Sequence, residues 1–220
     1  METLDFKSTS VFLDFDGTIS TKDIGVHLME RLTDSSWLGI EDLYEHGLIG
    51  SRECMLREWA LLPVSDESLL RSVAAEVPID PDFPVLVRGL LRMGAEVTVV
   101  SDGFGFYVED AVSPCGVPVV TAQVDWTTGS LTFQDTECPC SECGTCKRAP
   151  VHEAALRGRT TVFVGDGNSD RHVAPLVNRL YAKDTLVAWC DANGVSYRSF
   201  RSLRDVAQDL GLDMDQPVGR

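Results

Sequence analysis

Apolar positions along the chain follow two rhythms. Val11-Phe12-Leu13 form an unbroken apolar run that stops in Asp14-Phe15-Asp16-Gly17-Thr18. That pattern predicts a short buried strand ending in a turn. From about residue 21 to about residue 78 the spacing becomes helical, in IGVHLMERL, WLGIEDLYEHGLI, RECMLREWALL and ESLLRSVAAEV. Gly47, Gly50 and Pro63 punctuate these segments. The block is predicted to be all helix.

After Pro81 the rhythm alternates. A helix is predicted over 83–93, ending at Gly94, then a β-branched strand over 97–100 that ends in Ser101-Asp102-Gly103. A helix over 106–112 follows, then a hairpin of 117–126 and 130–133 turned at Thr128-Gly129. A helix over 147–157 carries Pro150 in its first turn and has Gly158 past its end. The strand TVFV leads into Gly165-Asp166-Gly167-Asn168-Ser169-Asp170, and helix, strand (179–182), helix, strand (around 195–197) and helix complete the chain. Strands alternating with helices imply an α/β fold with a doubly wound, mainly parallel sheet. The expected division is a core of 1–20 and 79–220, with 21–78 as a small helical insertion after the first strand. Such sheets bind ligands at the carboxyl ends of their strands, and here those ends carry unusual polar groups.

Composition narrows the class. The 220 residues contain 44% hydrophobic and 24% charged residues, with no apolar run of membrane-spanning length. The polar start METLDFKSTS does not read as a signal peptide, so a cytoplasmic protein is expected. A formal net charge of −15 argues against nucleic-acid or anionic-membrane partners. An anionic ligand would therefore need local positive charge from a metal, a lysine or oriented N–H groups.

Asp14 and Asp16 carry the strongest chemical signal. Carboxylates two apart on an extended chain point the same way, and burying both is costly unless a cation or proton compensates them. A carboxylate can act as nucleophile in phosphoryl transfer while its neighbour handles protons; Gly17 lets the chain turn away and Thr18 adds a hydroxyl. Asp166 and Asp170, four apart, either cap a helix or join Asp14 and Asp16 in a Mg²⁺ site. Ser101, with the N–H groups of Asp102 and Gly103, can form a small anion nest. Lys147 opens a helix, where its charge opposes the dipole unless it faces an anion. Within the helical block, Arg52 and Arg57 are candidates for gripping an anionic group or are solvated helix residues. Cys138, Cys140, Cys143 and Cys146 form C-x-C-x2-C-x2-C. Four thiolates can hold a structural Zn²⁺, although a C-x-C step departs from the usual zinc spacing; the alternative is a reduced loop.

VFLDFDGT, Ser101 after VTVV, Lys147 at a helix start and GDGNSD together resemble the four motifs of the haloacid-dehalogenase-like phosphatase superfamily, in order and over nearly the whole chain. A helical insertion between the first two motifs resembles the phosphoserine-phosphatase-like branch, with a Rossmann-like core and a small cap. SDGFGFYVEDAV and the CGTCK approach to the lysine look most like the phosphatases of 2-hydroxy-3-keto-5-methylthiopentenyl-1-phosphate. The cysteine-bearing approach is also similar to that of phosphoethanolamine/phosphocholine phosphatases. SDGF and GDGNSD depart from the SGGF and GDGAND usual in phosphoserine phosphatases.

The resemblance implies a Mg²⁺-dependent hydrolase of a small phosphomonoester, working as a monomer or homodimer. The ester would be either a methylthio-keto or sugar-like phosphate, or else phosphoserine, phosphocholine, phosphoethanolamine or a nucleoside monophosphate. The remote alternative is an inactive binding module. Asp14 would be nucleophile and metal ligand. Asp16 would be general acid/base and give the metal its backbone carbonyl. Ser101 and Lys147 would hold phosphate, and Asp166 and Asp170 would serve the metal. Thr18, Asp102 and Gly103 would line the substrate site, with Asp23 placed near the substrate's organic part.

Overall fold

A computed structural model describes residues 4–133 and 142–213. Strand β1 (Thr9–Leu13) is buried along its whole length, as its apolar run requires of a central strand in a parallel sheet. It pairs in parallel with β2 (Glu96–Phe104) on one side and β5 (Thr160–Gly165) on the other. β3 (Val119–Asp125) and β4 (Ser130–Thr132) extend the β2 side; β6 (Arg179–Ala182) and β7 (Arg198–Ser199) extend the β5 side. The seven strands run in the order β4-β3-β2-β1-β5-β6-β7, and only β3–β4 is antiparallel. The chain winds outward from β1 through β2 and β3, then returns to β5 and winds the other way. The switch point lies between β1 and β5, where such sheets open a ligand crevice.

The helical block contains α1 (Ile24–Leu32), α2 (Leu38–Glu45), α3 (Ser51–Trp59) and α4 (Glu67–Ala74). It leaves and rejoins the sheet at one place. Ser20 bridges to Ile79, Thr21 N–H donates to Pro78 O, and Asp80 N–H donates to Ile19 O. Buried Leu28, Met55, Trp59 and Leu70 belong to one continuous apolar cluster with Val11, Leu13 and Val99 of the sheet. Trp59 adds an indole N–H bond to Gly129 O at 2.8 Å. The remaining helices are α5 (Phe83–Met93), α6 (Gly105–Val112), α7 (Arg148–Leu156), α8 (Asp184–Asn193) and α9 (Leu203–Asp209).

Three expected elements differ. No α-helix follows GDGNSD; two 3₁₀ turns do, Asn168–His172 and Ala174–Leu176. The Asp170 carboxylate folds back onto the Asp166 and Gly167 N–H groups, and Pro175 cannot donate the bond that would continue a helix. The last strand falls at 198–199 rather than 195–197, because Val195 N–H closes the end of α8 on Cys190 O after Gly194 at φ 66°. β2 runs on through Ser101-Asp102-Gly103 to Phe104, with its register to β3 shifted between Val100 and Phe104. Bulges of this kind re-aim side chains next to functional sites.

Candidate active site

The end of β1 makes the floor of the site. Asp14 N–H donates to Val164 O at 2.9 Å, which carries the sheet ladder one residue past the strand. The chain then turns, with Thr18 and Ile19 N–H groups both donating to Phe15 O. Gly17 sits at φ 75°, and a Cβ there would lie 2.3 Å from Asp166 Oδ2. Glycine is thus required twice, by backbone conformation and by the closeness of Asp166. Thr18 is buried and its hydroxyl donates to Asp166 Oδ1 at 2.7 Å, so it fixes a carboxylate of the neighbouring strand end.

Asp14 and Asp16 line one cavity but face different partners. Lys147 Nζ donates to Asp14 Oδ1 at 2.5 Å, to Asp170 Oδ1 at 2.7 Å and to Ser169 Oγ at 2.7 Å. Asp16 Oδ1 accepts the Ile24 N–H at 2.9 Å, and its Oδ2 accepts the Tyr107 hydroxyl at 3.0 Å. Ser101 is fully buried; its Oγ accepts the Gly103 N–H at 2.8 Å and stands 3.5 Å from Asp16 Oδ2. A Cβ at Gly103 would fall 2.4 Å from Asp16 Oδ2 and 2.3 Å from the Tyr107 hydroxyl, so that glycine keeps room for the contact. Asp102 lines the cavity and also makes a backbone contact. Its carboxylate accepts the Thr145 N–H at 2.5 Å, while Ser51 Oγ accepts the Gly144 N–H at 2.8 Å. Together they tie down the segment that presents Lys147.

The acids repel one another strongly here. Burial, then Asp170, raise Asp14 well above the usual carboxylate range, with Lys147 pulling the other way. Burial and Asp170 push Asp166 up to about 6. Burial also raises Asp16, opposed by its Ile24 and Tyr107 hydrogen bonds. Burial disfavours the Lys147 charge, yet Asp14, Asp170 and Asp102 outweigh it and hold the ammonium pKa above its ordinary value. Asp14, Asp166 and Asp170 each offer a carboxylate oxygen within 4.8 Å of the others. An all-oxygen set with unbalanced negative charge suits a hard divalent cation such as Mg²⁺. Asp16 does not join that set through its side chain, which is committed to Ile24 and Tyr107.

Other expected residues scatter. Asp23 lines the cavity and caps α1 through the Val26 N–H at 2.8 Å. Arg57 is exposed and ion-paired with Glu53 one helical turn away, outside the cavity lining. Arg52 stacks 4.7 Å over the Phe133 ring, and it too is absent from the lining. Cys143 and Cys146 flank the approach to Lys147; Cys138 and Cys140 lie outside the described residues. Tyr107, Ser51, Glu41 and Glu58 were not anticipated. Glu58 had one signal in the sequence: it falls on the same helical face as Met55, Trp59 and Leu62, an acid on an apolar stripe.

The switch point of this doubly wound sheet gathers four aspartates, a buried lysine and a glycine turn. A sequence model of the haloacid dehalogenase-like hydrolase family matches residues 11–175. The chain belongs to this family. It is 26% identical over 208 residues to 2-hydroxy-3-keto-5-methylthiopentenyl-1-phosphate phosphatase of an Exiguobacterium species, covering 91% of this chain and 96% of that protein. It is 27% identical over 210 residues to the bifunctional enzyme MtnB/MtnX of Bacillus licheniformis, covering 91% of this chain and 48% of that one. Among solved structures, a phospho-aspartyl intermediate analogue of phosphoserine phosphatase superposes with a TM-score of 0.70 at 16% identity, over 92% of this chain and 98% of that one. That likeness shows the shared fold. Among the described residues, no helix is long and apolar enough to cross a membrane.

Proposed function

We propose that this chain is a phosphatase that hydrolyses a small phosphomonoester through an aspartyl phosphate on Asp14. The carrying observation is the pairing of Asp14 with the buried Lys147 ammonium at 2.5 Å, beside Asp166 and Asp170 at the sheet's switch point. In the first step an Asp14 carboxylate oxygen attacks phosphorus, the bond from phosphorus to the ester oxygen breaks, and Asp16 gives that oxygen its proton. In the second, Asp16 takes a proton from water as the water oxygen attacks phosphorus, and the bond to Asp14 breaks to release inorganic phosphate. Tyr107 and Ile24 hold the Asp16 carboxyl for both transfers, and Lys147 balances charge on the phosphoryl oxygens. Asp14, Asp166 and Asp170 would hold Mg²⁺, which supplies further positive charge to those oxygens.

Residues 21–78 are read as a cap whose α1, α2 and α3 wall the cavity beside the organic part of the substrate. The relative named for a methylthio-keto phosphate supports a small sugar-like or keto ester, and the cavity's carboxylates suit a substrate rich in hydrogen-bond donors. The direct test is release of p-nitrophenol from p-nitrophenyl phosphate. Turnover that requires Mg²⁺, stops with EDTA and returns when Mg²⁺ is added back is the expected result. Unchanged turnover in EDTA, or none under any metal, would contradict the reading.

A further inference from the structure

The cavity of about 230 Å³ over the strand ends has two unlike walls. On one side lie the groups assigned to phosphoryl transfer. The other, built from α1, α2 and α3, presents Asp23, Glu41, Glu45 and Glu58. Among the described residues lining this cavity there is no lysine, arginine or histidine. A phosphate dianion would be matched by Mg²⁺ and by Lys147, which stands behind the lining residues Asp14 and Ser169 and donates to both, so the acids of the second wall are left over.

Glu58 is the decisive residue. It is only 9% exposed and lines the cavity. Its hydrogen bonds go to Glu41 and Cys54 alone, the three offering ligand atoms within 4.8 Å of one another. Among the described residues no backbone N–H and no cation meets it. A buried acid left in that state is costly, and it faces the space where the organic part of a substrate would lie. Burial, and behind it Glu41 and Asp23, push Glu58 up to about 8. Burial and Glu58 likewise raise the Cys54 thiol, which keeps it protonated and a poor metal ligand.

We propose that Glu41 and Glu58 form the seat for an ammonium group, so that the substrates are small phosphomonoesters bearing a cationic amine. The inference rests on the phosphatase reading above and narrows it. The ammonium donates to both carboxylates and replaces the proton they share. A substrate with a second anionic group at this position is repelled by the same wall.

The experiment compares 2-aminoethyl phosphate with 2-hydroxyethyl phosphate, which differ by ammonium against hydroxyl, using the full chain with Mg²⁺. The expected result is a kcat/KM roughly tenfold or more higher for the amine, the scale of one charge-assisted hydrogen bond, expressed mainly in KM. Glu58→Gln and, independently, Glu41→Gln should each reduce that preference to less than about threefold. Equal or better turnover of the hydroxyl ester by the wild-type protein overturns the proposal, as does a preference that survives both substitutions. Zinc binding that depends on Cys54, without an amine preference, would also overturn it. Wild-type hydrolysis of p-nitrophenyl phosphate with no amine preference sinks this inference alone. Failure to hydrolyse any ester sinks the phosphatase reading and this inference with it.

Discussion

Lys147 Nζ lies 2.5 Å from Asp14 Oδ1 and 2.7 Å from Asp170 Oδ1, and all three side chains are buried. The chain separates Lys147 from Asp14 by 133 positions, so the contact exists only because β1 and β5 are neighbours and Asp102 and Ser51 anchor the segment before the lysine. The ammonium is the fixed positive charge that Asp14 and Asp170 both contact. Lys147→Gln should lower kcat by at least about a hundredfold, as expected for loss of a preorganised charge at a developing anion. It should also lower the melting temperature in EDTA, since breaking a buried pair leaves charge uncompensated. A kcat within a few-fold of wild type would show that Lys147 does not face the reacting phosphate.

Gly17→Ala should fold poorly or lose activity. The backbone there is left-handed, at φ 75°, and a Cβ would fall 2.3 Å from Asp166 Oδ2. Left-handed strain alone costs about 1 kcal/mol in a non-glycine residue, and displacing Asp166 would also undo its bond from Thr18. Weaker Mg²⁺ activation with a normal circular-dichroism spectrum is the expected signature. Unaltered Mg²⁺ activation would mean Asp166 is not needed where it sits.

Much of this site could be read in the chain. Asp14, Asp16 and Gly17 follow an unbroken apolar run, and a buried strand that stops in two acids is costly unless a cation or a proton meets them. α1 is also plain, because IGVHLMERL is amphipathic and Asp23 caps it. What escaped depends on contacts between elements far apart in sequence. Tyr107 reaches Asp16 across β2, and Glu41 meets Glu58 only where α2 packs on α3. Asp102 lines the cavity, but its residue type does not reveal that its oxygen also serves a backbone N–H from a loop 43 positions away. Arg57 was a candidate grip because residue type does not reveal which face of α3 turns outward. The helix expected after Asp170 fails because that carboxylate satisfies the N–H groups of its own loop.

The acid pair predicts how stability depends on pH. Glu58 has a folded pKa of about 8 against its ordinary 4.5, so the folded state holds a proton that the unfolded chain has lost. Stability must therefore fall as pH rises from about 4.5 toward about 8, and level off above. Glu58→Gln removes this component. In EDTA its melting temperature should exceed wild type at about pH 8, and the gap should close toward about pH 5. A gap independent of pH would mean that Glu58 titrates normally.

Mg²⁺ should stabilise the protein, because a site built from Asp14, Asp166 and Asp170 exists only in the folded state. The melting temperature should rise with Mg²⁺ concentration, and Asp166→Asn should abolish most of the rise. Zinc retained by protein purified without chelator should stay below about half an equivalent, since hard carboxylates select Mg²⁺ and the cysteine spacing is poor for zinc. A stoichiometric zinc content surviving Asp166→Asn would instead assign that metal to the cysteines.

The covalent role of Asp14 is the centre of the account. Rapid quenching during turnover of p-nitrophenyl phosphate with Mg²⁺, followed by borohydride reduction and peptide mass spectrometry, locates the phosphorylated carboxyl directly. The expected outcome is reduction of residue 14 alone, absent without substrate, with Asp14→Asn losing more than about a thousandfold in rate. Label on any other residue, or turnover near wild type by Asp14→Asn, would contradict it.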